Sequence, residues 1–210
     1  MIKKHWKLLV LTSILILLPV AAGLVLWNRL PAEMPTHWNV SGEVDDWGSK
    51  AFVVFGLPGI MLAAQWLCVL GTAADPKKRN HSDKILQLVL WVVPVLTNLL
   101  MALTYLVAMG KQVRVEVVIL MFMGLLFVVI GNYMPKCKQN YTIGIKIPWT
   151  LESEENWNKT HRFAGWLWMI CGVLVMITGF VGNFWLFIGI VFSMVLAPMV
   201  YSFILHRRGI

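Results

Sequence analysis

The sequence predicts an all-α integral membrane protein of six transmembrane helices in three hairpins, with both termini cytoplasmic. Three observations predict it: 59% of the 210 residues are hydrophobic, only 13% are charged, and long uncharged runs alternate with polar segments. A soluble domain carries about a quarter charged residues, and one soluble core cannot enclose this much apolar surface. Mean hydropathy is +0.73, so the solvent for most of the chain is a bilayer. Little length remains for a large soluble catalytic domain beside the spans.

Each span needs about 20 apolar residues. The first run, 8–27, carries no charge; Lys3, Lys4 and Lys7 precede it, and Val20-Ala21-Ala22 resembles a signal-cleavage site. The run is longer than the core of a signal peptide, so an uncleaved first span is expected. The second, 52–72, contains Gln65, and the third, 85–109, contains Gln87 and Asn98. The fourth is 117–134. The fifth, 163–181, is parted from the sixth, 184–205, by Gly182-Asn183. Two membrane halves are expected, 1–110 with a long outer loop at 29–51, and 111–210 with a long inner loop at 135–162.

Orientation follows from Lys and Arg in the short loops. With the N-terminus inside, 14 of the 18 Lys and Arg lie inside with five acids, and four lie outside with five acids. The sides then carry +9 and −1. The basicity is spread over four juxtamembrane segments, which sets topology and attracts anionic lipid; it forms no single basic face for nucleic acid. Direct nucleic-acid binding is not expected. The loop at 74–84 reads as a plain positive turn opened by Asp75-Pro76.

The outer loop contains Pro31 and Pro35, which favour extended backbone, and a Ser41-Gly42 turn. Trp38 and Trp47 suit the membrane interface. His37, Glu43, Asp45 and Asp46 lack a recognisable ligand spacing, so the loop reads as solvated and acidic rather than as a metal site. In the inner loop, Pro135 ends the fourth helix and Pro148 forces Ile147 into extended geometry. Thr150 or Ser153 can cap a following helix whose first turn carries Glu154 and Glu155, and Glu155 can pair with Lys159. Trp157, His161, Ala164 and Trp168 share one helical face. This predicts an amphipathic segment along the inner membrane surface that feeds the fifth span. Taken singly, Trp149, Trp157 and Trp166 read as interfacial anchors, and His161 as a partner of a carbonyl or headgroup.

The stretch from Asn132 to Trp166, and GIKIPWTLESEENWNKTHR within it, resembles the signature of the SdpI-like family of multi-pass membrane immunity proteins. The matching positions include Asn132, Asn140, Gly144, Lys146, Pro148, Trp149, Thr150, Trp157, Thr160, His161 and Arg162. Pro35, His37, Trp38, Gly42, Asp46 and Lys50 in the outer loop match the short domain that often precedes that signature. Lys146 stands where the family often has Arg, which removes a bidentate fork, and Ile147 where it often has Thr.

The resemblance implies a bacterial plasma-membrane protein that protects the cell from a secreted antimicrobial peptide. It also implies that a cytoplasmic transcriptional repressor is held at the membrane. Membrane lipids are the remaining expected partners, and both groups of matching residues are candidate interaction sites. An alternative is a small transporter or lipid-handling protein, since the two halves have opposite orientation. Gln65, Asn98 and Asn132 would then be pathway residues, although interhelical hydrogen bonding is the commoner role. Catalysis, a cofactor and a metal are not expected: no catalytic motif is present, and Cys68, Cys137 and Cys171 have no ligand spacing.

Overall fold

A computed structural model describes residues 2–210, with side chains from Lys4 onward. Among the described residues, six helices are long and apolar enough to cross a membrane. They are α1 (Ile2–Val25), α2 (Leu57–Ala74, entered through a π-helical turn at Phe52–Gly56), α3 (Asp83–Ala108), α4 (Val115–Tyr133), α6 (Glu154–Val181) and α7 (Phe184–Arg207). A five-residue helix, α5, spans Pro148–Glu152. In no span is more than 39% of the apolar window buried, and Leu67, Ile170, Phe180, Trp185 and Phe192 are exposed. Faces this apolar need lipid to cover them. The protein is a multi-pass protein of the cell membrane.

Two features depart from the reading of the sequence. The loop at 29–51 contains paired strands, β1 (Glu33–Trp38) and β2 (Val44–Ser49), antiparallel with Pro35 opposite Trp47. Extended backbone was legible from the prolines; the pairing was not. The amphipathic segment after Ser153 is no separate surface helix either, because it forms the first turns of the continuous α6.

The chain divides into two compact units. The first takes in the chain up to Ala73 and Leu86–Val115. Pro19 lacks an N–H, which frees the Leu15 carbonyl inside α1. Asn98 Nδ2 of α3 donates to that carbonyl at 2.8 Å, and Tyr105 Oη donates to the Pro19 carbonyl at 2.8 Å. Gln65 Nε2 of α2 donates to Thr12 Oγ1 of α1 at 2.9 Å. Gln65 and Asn98 are therefore interhelical bonds in this unit. The hairpin rests on a core of Leu30, Met34, Val53, Val54, Met101 and Tyr105. Lys50 fixes its far end: Nζ donates to the carbonyls of Trp27 and Leu30, at 3.0 and 2.8 Å, and lies 4.9 Å from the Trp27 ring centroid.

The second unit takes in Ala74–Ile85 and Glu116–Ile210. Two glycine pairs, Gly124 with Gly172 and Gly131 with Gly165, let α4 and α6 approach backbone to backbone. A Cβ on Gly124 would lie 2.4 Å from the Gly172 carbonyl oxygen, and one on Gly131 would lie 2.7 Å from that of Gly165. Both pairs are seven residues apart on their helices, so one small-residue seam is repeated after two turns. Pro198 in α7 frees the Met194 carbonyl, and Trp168 Nε1 donates to it at 3.1 Å. Gly182 closes α6 in the left-handed region at φ 69°, and the Asn183 side chain caps α7 by accepting from Leu186 N.

Gly131→Val is expected to lower the thermal unfolding midpoint in detergent by the equivalent of about 2–3 kcal/mol, as overpacking does. Gly189→Ala in α7, where a Cβ meets nothing within 4 Å, is expected to leave it unchanged or raise it by up to about 1 kcal/mol. Equal effects of the two would contradict the seam.

Candidate functional site

The loop between α4 and α6 is shaped first by its own side chains. Asn140 is fully buried, and its Oδ1 accepts from the amides of Thr142 and Ile143, at 2.9 and 2.7 Å. Its Nδ2 donates to the carbonyls of Lys138 and Ile143, at 2.8 and 2.9 Å. An Asp here could accept but not donate. Thr150 Oγ1 accepts from Ile147 N at 3.1 Å and donates to the Ile145 carbonyl at 2.7 Å, which joins the extended run to the first turn of α5. Ser153 caps α6 by accepting from Asn156 N at 3.2 Å, and Glu155 pairs with Lys159 at 2.7 Å.

The loop is then tied to the connection at 74–85. Asp75 has a side chain with no exposed surface and His81 one with 1%. Asp75 Oδ2 accepts from Tyr141 N at 3.0 Å and from Thr142 Oγ1 at 2.8 Å, and lies 3.1 Å from His81 Nε2. Oδ1 accepts from Lys77 N at 2.7 Å. Burial by itself pushes the Asp75 carboxyl up; hydrogen bonds from Thr142, the Lys77 and Tyr141 amides and His81 outweigh it and hold the carboxyl below its ordinary 3.8. Gln139 completes the tie. Its Nε2 donates to the carbonyls of Thr150 and Leu151, its Oε1 accepts from Lys77 Nζ, and its own carbonyl accepts from Asn80 Nδ2.

The third wall is the buried face of α6. Trp157 is fully buried and donates through Nε1 to the Cys137 carbonyl at 2.6 Å. His161 stacks on Trp157 with centroids 4.0 Å apart. Its Nε2 lies 3.0 Å from Ile145 N, and its Nδ1 lies 2.8 Å from the Trp157 carbonyl. An amide can only donate, so Nε2 is the unprotonated nitrogen and Nδ1 carries the proton. A lone pair occupied by a backbone amide is not poised as a general base. Gly144 passes over this pair at φ +116°, where a Cβ would lie 2.5 Å from His161 Nε2. Deeper in α6, Asn156 Oδ1 accepts from Thr160 Oγ1 and from Ser202 Oγ of α7.

The structure thus brings together Asn140, Thr150, Trp157, Thr160 and His161 as a buried polar knot, with the exposed Gly144 passing close over His161 and Trp157. Trp157 is no interfacial anchor, and His161 does bond a carbonyl. Trp149 packs on Phe203 and His206 of α7, whereas Trp166 is 64% exposed. Lys146, Pro148 and Arg162 face outward, as does Asn132 at the end of α4. Lys146 Nζ still donates to the Thr142 carbonyl at 2.9 Å.

Asp75, His81, Gln139, Thr142, Asn156 and Ser202 belong to the knot, and the sequence reading assigned none of them to it. The 74–84 connection is therefore no bland turn, because Asp75, Lys77, Asn80 and His81 all hold the neighbouring loop. The advance signal was an Asp and a His six positions apart in a mainly basic turn.

The six matching residues of the hairpin lie in the first unit, and each has a different role there. Pro35 is buried in β1, Gly42 takes the left-handed turn position at φ 79°, and Lys50 is the clamp described above. His37 pairs with Asp45 at 2.6 Å, while Asp46 accepts from Thr36 Oγ1 at 2.9 Å. Trp38 Nε1 is buried with no hydrogen-bond partner.

Asp75→Asn is expected to free the loop, because a side-chain amide cannot accept at both positions from so many donors; the cost is about 1–3 kcal/mol. Trypsin should then cut after Lys138 or Lys146 in the variant and spare the parent. The pH dependence has a definite sign. A carboxyl held below its unfolded value stabilises fully above about pH 4, and that stability disappears as the pH falls through its native value. Acid should therefore open the same cleavage sites in the parent protein and change little in Asp75→Asn.

Comparison with known proteins matches these two structural regions. Residues 136–202 match the SdpI/YfhL protein family, a range that holds the loop and α6 portions of the knot together with Ser202. Residues 14–62 match a domain of unknown function, DUF1648, a range that encloses the hairpin. Over 194 residues the chain is 27% identical to the protein named Immunity protein SdpI of Bacillus subtilis (strain 168), covering 92% of this chain and 91% of that one. No solved structure matches. The chain is a multi-pass membrane protein with an SdpI/YfhL family region following a DUF1648 region, similar to an SdpI immunity protein over nearly its whole length.

Proposed function

We propose that this chain is a membrane immunity protein that protects the cell producing it, or its neighbours, from a secreted antimicrobial peptide. The observation that carries the reading is likeness to Immunity protein SdpI across both proteins, with 92% and 91% coverage. A shared isolated motif would carry much less. The charge distribution of the loops supports a cytoplasmic position for the knot. The hairpin, with its surplus of acids, then meets the peptide from outside.

The knot presents rather than reacts. Its buried members hydrogen-bond one another, with His81 Nδ1 alone among their named polar atoms left unpartnered, and Lys146, Pro148 and Arg162 are exposed. A preformed cationic surface of this kind suits a protein partner on the inner side, because the ordering cost of the loop is met by its own hydrogen bonds before binding. We assign that surface to a cytoplasmic repressor held at the membrane. Immunity and repressor capture are separable: the first requires the chain in the membrane, and the second requires the exposed cations.

The test is a peptide-challenge assay on cells with and without this chain. Expression should raise the inhibitory dose of a membrane-active peptide, and unchanged sensitivity on both deletion and overexpression contradicts immunity. The double variant Lys146→Ala, Arg162→Ala should keep its membrane abundance. It should also release a co-expressed repressor from the membrane fraction by about tenfold, the scale of one lost interfacial charge contact. Trp157→Ala should instead reduce abundance, since it empties the centre of the knot.

A further inference from the structure

Two lysines beside the knot have their ammonium groups tethered to consecutive residues of the long loop. Lys77 Nζ lies 5.3 Å from the centroid of the Tyr141 ring and donates to Gln139 Oε1. Lys146 Nζ donates to the carbonyl of Thr142 at 2.9 Å. An ammonium group has three donors, so each retains donors after these bonds. Among the described residues neither is paired with a carboxylate, in contrast to Lys159, which pairs with Glu155. Tyr141 itself is 47% exposed, although its backbone N–H is held by the buried Asp75. The cluster is composite. Lys77 belongs to the 74–85 connection and Tyr141 and Lys146 to the long loop, and the Asp75 carboxylate joins the two segments.

Lysines that only meet lipid headgroups need no such tethers, because their long stems reach the interface freely. Tethered cations around an exposed Tyr on a fixed backbone are instead the chemistry of an interface centre. There aromatic anchors carry binding energy, and complementary charges set register and exclude wrong partners. The ordering that a charge contact ordinarily requires is in place before a partner arrives. We propose that Lys77, Tyr141 and Lys146 form the docking point for an acidic protein segment. Its Asp or Glu carboxylates accept from both ammonium groups, and an apolar side chain covers the exposed part of the Tyr141 ring. This rests on the reading of the inner surface as a protein-binding face; it adds Lys77 and Tyr141 to that face and acidity to its partner. Lys78, exposed on the same connection and untethered, lies outside the docking point.

The experiment is fluorescence anisotropy with the full chain in phosphatidylcholine nanodiscs and a labelled peptide of Glu and Leu residues, beside the same peptide with Gln in place of Glu. The Glu peptide should bind at least about tenfold more tightly than the Gln peptide. Lys77→Gln, Lys146→Gln and Tyr141→Ala should each weaken it about tenfold, the scale of one charged or aromatic contact. Lys78→Gln should weaken it less than about twofold, as an untethered surface charge does. Lys77→Gln also removes a bond to Gln139, whereas Lys146→Gln and Tyr141→Ala spare the buried bonds of the knot, so the outcome does not depend on one variant folding. Equal binding of the two peptides, or equal weakening by Lys78→Gln and Lys146→Gln, overturns the site. Displacement of the Glu peptide when phosphatidylglycerol replaces phosphatidylcholine overturns the protein assignment in favour of a lipid headgroup. The reading beneath it is tested apart, by release of the repressor in the Lys146→Ala, Arg162→Ala variant, so the two can fail independently.

Discussion

The carboxylate of Asp75 is the group on which the loop of the second unit depends. It is buried with no exposed surface, and a charge taken out of water must be met by donors or it is not tolerated. Here the donors come from sequence neighbours (Lys77 and His81) and from residues 66 and 67 positions later (Tyr141 and Thr142). Meeting one charge therefore fixes a long segment against a short one. Asn140, Gln139 and His161 then bind the backbone amides and carbonyls that an irregular loop leaves open. An apolar cluster of Ile85, Cys137 and Trp157, with Tyr133, Ile143 and Leu151 packed against it, backs these hydrogen bonds.

A related economy governs the spans. In hydrocarbon a free carbonyl has no water to turn to, and each proline in a helix creates one. Asn98 answers Pro19 and Trp168 answers Pro198, each from a neighbouring helix. A helix defect thus becomes an interhelical bond. The glycines of α4 and α6 work by the opposite means, since they remove side chains so that backbones can touch. Packing of this kind does not rely on hydrophobic burial, which is weak between helices surrounded by lipid.

These differences explain what the sequence disclosed. Span number and approximate ends follow from transfer free energy, a local property, and six runs were visible from 8 to 205. Ser153 as a cap, Glu155 with Lys159 and the face shared by Trp157 and His161 were visible because each concerns residues within one or two helical turns. Asp75 was not visible, because nothing near it in sequence distinguishes a buried carboxylate from the ordinary start of a turn. Trp157 and Trp166 look alike as letters in an interfacial segment, yet one is enclosed and the other exposed. Their partners, not their composition, separate them. The strand pairing of the hairpin was hidden for a similar reason: Pro35 and Gly48 both weaken a strand signal, while Met34 in the core and the Lys50 clamp hold the strands in place.

Buried and exposed members of the SdpI-like signature therefore have different duties. Asn140, Thr150, Trp157 and His161 maintain a shape, and Lys146 and Arg162 are displayed by it. That division stands on the rigidity of the frame, which amide hydrogen exchange in lipid nanodiscs measures directly. The account predicts that the amides of Tyr141, Thr142, Ile143 and Ile145 exchange slowly in the parent protein and at least about tenfold faster in Asp75→Asn, while amides within α4 stay unchanged. Exchange of the loop amides at the rate of an unstructured chain in the parent, or at equal rates in the two proteins, would contradict it.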